Sequence, residues 1–231
     1  LMTTPTIGIL ALQGAFEEHQ SLFASLPNPP LTVQVRTPSD LSSCSALVLP
    51  GGESTAMGLV GEATGMFPSL RSFVSRGLPV WGTCAGLILL CDTAVSTSPN
   101  VVEGQALVGG LDATVCRNYF GSQISSFEVG VPMPGGGEEF PCVFIRAPAI
   151  LSVGAGVTAL ASVSAKPCRQ ANAVLAELDE RIRRGEDVRD LRTVEEEGDD
   201  DIIASAKRGL QGEGGGGKKK RGGGEGWPGL H

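Results

Sequence analysis

Apolar residues in this chain fall in short unbroken blocks rather than in long amphipathic stripes. Residues 7–12, 46–49 and 78–81 each form such a block, with a shorter one at 33–36, and glycine, proline or polar residues follow each of them. Blocks of this length suit strands buried on both faces. A first helix is expected over residues 15–26, stopped by the prolines of 27–30. Helical periodicity is weaker through 55–76, where Met57, Leu59, Phe67, Leu70 and Phe73 would line a packed side. The apolar run 85–90 reads as another helix. Strand, turn and helix recurring at this spacing predict an α/β fold, with a mostly parallel sheet covered on both faces. Sheets of this kind carry their sites at the carboxyl ends of strands.

From about residue 100 the pattern becomes valine-rich and turn-rich. Strands are expected at 113–117, 125–131 and 143–146, either as antiparallel additions or as a return to the main sheet. Beyond Lys166 the fold signal fades. Residues 174–197 form a charged, helix-like run with opposite charges three or four apart. Residues 201–204 could form one last edge strand, and the Gly/Lys-rich sequence after them can bury almost nothing. The expected organisation is therefore one domain over 1–165 with a candidate final strand near 201–206. A charged insertion or altered segment would occupy 166–200, and a disordered tail 207–231.

The 231 residues suffice for one well-cored domain. A formal charge of -7 argues against general nucleic-acid binding. No apolar run is long enough to span a bilayer, and the first residues lack a signal-peptide pattern, so the expected compartment is cytoplasmic. The cysteines at 44, 84, 91, 116, 142 and 168 contain no C-x-x-C pair. That favours free thiols, with Cys91, Cys116 and Cys142 as small buried hydrophobes, over a disulfide framework or a metal site. No cofactor pocket follows from the residues.

Two strand ends carry candidate chemistry. Gly-Thr-Cys-Ala-Gly at 82–86 lies between a predicted strand and a helix, where a sharp bend would project Cys84 with little cover. Flanking glycines let neighbouring backbone approach, and the helix start places N–H donors near the sulfur. The competing reading is one more buried thiol. Gly-Gly-Glu-Ser-Thr at 51–55 could offer amides to a developing oxyanion. Ser54 and Thr55 could cap the next helix, and Glu53 could hold an ammonium group; the competing reading is an ordinary capped turn.

Taken together, L-A-L-Q-G-A-F at 10–16 with Glu18 and His19, P-G-G-E-S-T-A-M at 50–57, G-T-C-A-G-L-I-L-L at 82–90, R-N-Y-F-G-S-Q-I-S-S-F-E at 117–128 and V-F-I-R-A-P at 143–148 resemble one known family. It is the glutaminase subunit of pyridoxal 5'-phosphate synthase, a class I glutamine amidotransferase. The resemblance implies a three-layer, flavodoxin-like fold and hydrolysis of L-glutamine to L-glutamate and ammonia. The ammonia would pass to a partner synthase subunit that makes the vitamin B6 cofactor, which is a product and not a cofactor of this chain. By the same resemblance Cys84 would form a glutamyl thioester. Gly52 and the Ala85 amide would face the oxyanion, and Glu53 and Ser54 would seat substrate. Arg117, Ile145 and Arg146 would complete glutamine recognition, while Gln13 and Gly14 would lie near the partner interface and help complete the oxyanion site.

The family pattern also includes a terminal strand leading into F-H-P-E-L, whose histidine is the general base and whose glutamate orients it. Those five residues do not occur here, and the histidines are His19 and His231. His19 falls in the family's Glu-His pair away from the catalytic dyad, as a structural or interface residue. The run C-R-Q-A-N-A-V-L-A at 168–176 and the run D-I-I-A at 201–204 both resemble parts of the segment before the missing histidine. The expectation is a glutaminase relative impaired by loss of its base; the alternative is a noncatalytic protein that binds the synthase or glutamine. A cysteine peptidase on a similar sheet would explain the cysteine turn but not residues 117–128.

Overall fold

The computed structural model describes residues 5–95, 106–121, 126–132, 135–164, 166 and 168–185. Its main sheet has the order β2-β1-β3-β4, built from Thr6–Leu10 (β1), Leu31–Val35 (β2), Ala46–Leu49 (β3) and Val80–Gly82 (β4). All three pairings are parallel, with Gly8 opposite Val33 and Leu47, and Val48 opposite Trp81. Ile9, Leu10, Leu47, Val48 and Leu49 are buried because β1 and β3 are covered on both faces. The expected three-layer α/β architecture with a mostly parallel central sheet is present.

Helix α1 (Phe16–Ala24) links β1 to β2, and α2 (Ser54–Ala63) and α3 (Met66–Ser75) link β3 to β4. Met57, Met66, Phe67, Leu70 and Phe73 from α2 and α3 fill the core under the sheet. Leu59, expected on the same side, is 41% exposed. Two helical steps past Met57 turn it about 200° away, and Gly58 and Gly61 take the buried positions instead. Helix α4 (Ala85–Leu90) is apolar all round because it packs into two cores. Leu89 and Leu90 join the first, and Ile88 joins a second with Cys91, Ala113 and Val115.

The later strands do not extend the four-stranded sheet. Cys91–Val95 (β5), Leu111–Cys116 (β6) and Ala149–Val153 (β9) form a separate mixed sheet, and Phe127–Val131 (β7) pairs antiparallel with Phe140–Phe144 (β8). Strand β8 begins three residues earlier than the apolar pattern predicts, because Phe140 pairs with Val131, and it ends before Arg146, whose φ is 47°. Strands β5 and β9 were not expected from the pattern. Cys142 is only half-buried, unlike the buried Cys91 and Cys116, because β8 belongs to a two-stranded ribbon.

A last helix, α5 (Arg169–Arg183), starts five residues before the charged run expected from 174. The Cys168 N–H donates to the Tyr119 carbonyl at 2.9 Å, fixing the start of α5 to the loop after β6. The rest of that run, the candidate strand near 201–206 and the tail at 207–231 lie outside the described residues. No helix among those described is long and apolar enough to cross a membrane.

Candidate active site

Cys84 joins β4 to α4 with φ 49° and ψ -106°, a conformation that L residues avoid and that costs about 1–3 kcal/mol. The side chain is exposed at this bend. The residues two places before and after it must be glycine for packing reasons. A Cβ on Gly82 would lie 2.6 Å from the Gly86 carbonyl oxygen, and one on Gly86 would collide with the Leu49 carbonyl. The Gly86 N–H is shared between the Thr83 carbonyl at 2.8 Å and the Pro50 carbonyl at 3.1 Å, which draws the turn against the end of β3. A Cβ on Gly51 would sit 3.4 Å from that of Cys84, so the two predicted strand ends do meet.

The first loop is tied to the same place. Gln13 Oε1 accepts the Glu53 N–H at 2.9 Å, and the Ala15 N–H donates to the Gly51 carbonyl at 2.9 Å. Gly14 has φ 95°, and any side chain there would run into the Gly51 carbonyl. Gln13, Gly14, Gly51, Gly52 and Cys84 therefore lie together at the carboxyl ends of β1, β3 and β4. Among the described residues, the Gly52 and Ala85 amides have no backbone or side-chain acceptor.

Glu53 and Arg117 form the polar wall. Glu53, rather than Ser54 or Thr55, is the N-cap of α2; its carboxylate accepts from the Thr55 N–H at 3.1 Å and the Ala56 N–H at 2.6 Å. Burial raises the proton affinity of this carboxyl, but the two amides, the Thr55 hydroxyl and Arg117 outweigh it and hold the group below the usual carboxylate range. Arg117 enters from the end of β6, with its side chain 12% exposed. Burial lowers its pKa and Glu53 opposes the shift. Arg117 Nη2 donates to Thr55 Oγ1 at 2.7 Å and lies 3.9 Å from Glu53 Oε1. Ser54 is buried at the first position of α2. Ile145 and Arg146 occupy the exposed connection between β8 and β9; among the described residues no hydrogen bond or ion pair joins Arg146 to this cluster.

His19 reaches the back of the cysteine turn. Its Nε2 lies 3.2 Å from Thr83 Oγ1, and its ring meets that of Trp81 edge-on at 5.3 Å. Burial lowers the imidazole pKa, with Glu18 opposing. Sequence reading placed His19 away from the chemistry and did not find its contact with the residue before Cys84. It also missed the bridging position of Thr55, since Arg117 is 62 residues away and no spacing links the two. No group of three His, Cys, Asp or Glu side chains among the described residues could hold a metal ion.

The pattern of the SNO glutamine amidotransferase family matches residues 9–177, taking in every element of this cluster. The chain belongs to that family. It is 51% identical over 162 residues to a probable pyridoxal 5'-phosphate synthase subunit of Arabidopsis thaliana, an alignment covering 68% of this chain and 62% of that relative's length. It is 45% identical over 161 residues to a pyridoxal 5'-phosphate synthase subunit of Leifsonia xyli subsp. xyli, covering 69% of this chain and 78% of the relative. A crystal structure of a glutamine amidotransferase superposes with a TM-score of 0.59 at 38% identity, covering 70% of this chain and 82% of the other. The family match ends inside α5, so the 168–176 run lies within it, in helical form after Cys168.

Proposed function

We propose that this chain is the glutamine-binding, cysteine-bearing subunit of a pyridoxal 5'-phosphate synthase. Cys84 Sγ attacks the side-chain carboxamide carbon of L-glutamine, and the oxyanion that forms faces the Gly52 and Ala85 amides. Collapse expels ammonia and leaves a glutamyl thioester, which water then hydrolyses to glutamate. Arg117 takes the substrate carboxylate and Glu53 its ammonium, a pairing suited to a free amino acid. Ser54, Ile145 and Arg146 complete the substrate seat. Gln13 and Gly14 border the face where the synthase subunit docks and receives ammonia. The observation that carries this reading is the positive-φ backbone of Cys84 beside Gly51, with Glu53, two residues further along the same loop, next to Arg117.

The same proposal assigns slow turnover to this 231-residue chain. It contains two histidines, His19 and His231, and no F-H-P-E-L. Without a general acid and base, protonation of the leaving ammonia and activation of the deacylating water fall by about 10²–10⁴-fold. Free thiols at all six cysteines suit a reducing, cytoplasmic setting.

The test mixes the purified chain with its synthase subunit and L-glutamine and follows ammonia release. In parallel, a glutamine-shaped chloroketone is used to label the chain, with mass spectrometry locating the adduct. One adduct at Cys84 with little steady ammonia is the expected result. Steady turnover at several per second would refute the impairment. Complex formation with no adduct, unchanged in Cys84→Ala, would instead establish a noncatalytic binding subunit.

A further inference from the structure

We propose that Thr55 is a positioning residue that joins Glu53 and Arg117 into a single amino-acid clamp, with its backbone N–H on the carboxylate and its hydroxyl on the guanidinium. This rests on the glutamine-binding reading above and names a residue which that reading leaves without a role. The observation is a gap and what fills it. Arg117 Nη2 and Glu53 Oε1 are 3.9 Å apart, too far for a hydrogen bond, whereas Thr55 Oγ1 is 2.7 Å from the same Nη2. A threonine hydroxyl has one proton to give and lone pairs to receive. Here a lone pair takes the Arg117 N–H.

Two consequences follow from the geometry. The backbone of Thr55 also serves Glu53, donating its N–H to Oε1 at 3.1 Å, so one residue fixes both the carboxylate and the guanidinium. Among the described residues this hydroxyl is also the one hydrogen-bond acceptor of the Arg117 guanidinium, a cation whose side chain is 12% exposed. If the hydroxyl is removed, the guanidinium can swing toward Glu53 and close the 3.9 Å gap into a direct ion pair. Each charge would then neutralise the other in place of the ammonium and carboxylate of an amino acid. Thr55 thus keeps two opposite charges close yet separate, which a ligand carrying both charges requires.

Thr55 is exposed at the start of α2, so Thr55→Val keeps the shape and removes the hydroxyl with little loss of packing. Hydrogen bonds to charged groups contribute about 1.5–3 kcal/mol, corresponding to roughly a 10–100-fold loss of apparent affinity. The assay is inactivation of Cys84 by the chloroketone analogue of L-glutamine over a concentration series, for wild type, Thr55→Val and Thr55→Ser. Thr55→Val should raise the half-saturating concentration about 10–100-fold and leave the limiting rate at saturation unchanged, with Thr55→Ser returning to near wild type. Iodoacetamide, which has no amino-acid portion, should alkylate Cys84 at the same rate in all three. If Thr55→Val does not fold, Thr55→Ala takes its place.

The inference is overturned if the half-saturating concentration moves less than about twofold, if the serine variant fails to restore it, or if iodoacetamide and analogue rates fall together. If wild type shows no saturation and no protection by L-glutamine, the glutamine-binding reading fails and this inference fails with it.

Discussion

Replacing Cys84 by glycine should make the protein more stable than replacing it by alanine, reversing the usual order of those two residues. Both substitutions remove an exposed thiol, so the sulfur cancels in the comparison. What remains is the backbone, held at φ 49° and ψ -106°. Alanine keeps the clash of Cβ with its own backbone in this region, and glycine releases it, a difference of about 1–3 kcal/mol. Glycine also gives the unfolded chain more freedom, which returns about 0.5–1 kcal/mol. Taking mid-range values of about 2 and about 0.75 kcal/mol, the net advantage of glycine is about 1.25 kcal/mol, or roughly 2.5–5 °C in melting temperature for a chain of this size. Urea unfolding followed by circular dichroism measures the difference directly. Equal midpoints, or a more stable alanine variant, would refute the claim that the bend is strained.

Three further outcomes are expected. Gly86→Ala drives a methyl group into the Leu49 carbonyl, so it should cost at least about 3 kcal/mol in urea unfolding and slow alkylation of Cys84 as the turn shifts. The thiols of Cys91 and Cys116 are pushed up to about 11 by burial, so limiting iodoacetamide at pH 8 should modify the exposed Cys84 and leave those two intact in a peptide map. Burial holds the folded-state pKa of His19 below 6.5, so the unfolded chain binds more protons as the pH falls. Stability should therefore decline as the pH drops below about 6.5, and His19→Gln should flatten the urea midpoint between about pH 7 and 5.

The central sheet was legible because its strands are buried on both faces, and burial of that kind writes itself as unbroken apolar blocks. Residues 46–49 and 85–90 were bounded correctly for this reason. Strand β5 was missed because Cys91–Val95 follows α4 without a turn residue, so the apolar run gives no sign that helix has become strand. Strand β8 was placed too late because its length is set by pairing with β7, which leaves no local mark. At the site, the glycines around Cys84 were readable as close approach, since each faces a backbone atom a few residues or one strand away. The capping role of Glu53 was assigned to its neighbours because Ser and Thr are the commoner caps, yet a carboxylate at the same position reaches two amides at once. The contacts from Arg117 to Thr55 and from His19 to Thr83 span 62 and 64 residues and exist only once the sheet is assembled.

The parallel sheet β2-β1-β3-β4 closes wholly within residues 6–82, and the helix that seats the cysteine bend ends at Leu90. On the ribosome, then, the bend and both loops beside it emerge ahead of Arg117. The nascent chain would expose its most accessible sulfur before the cationic wall arrives.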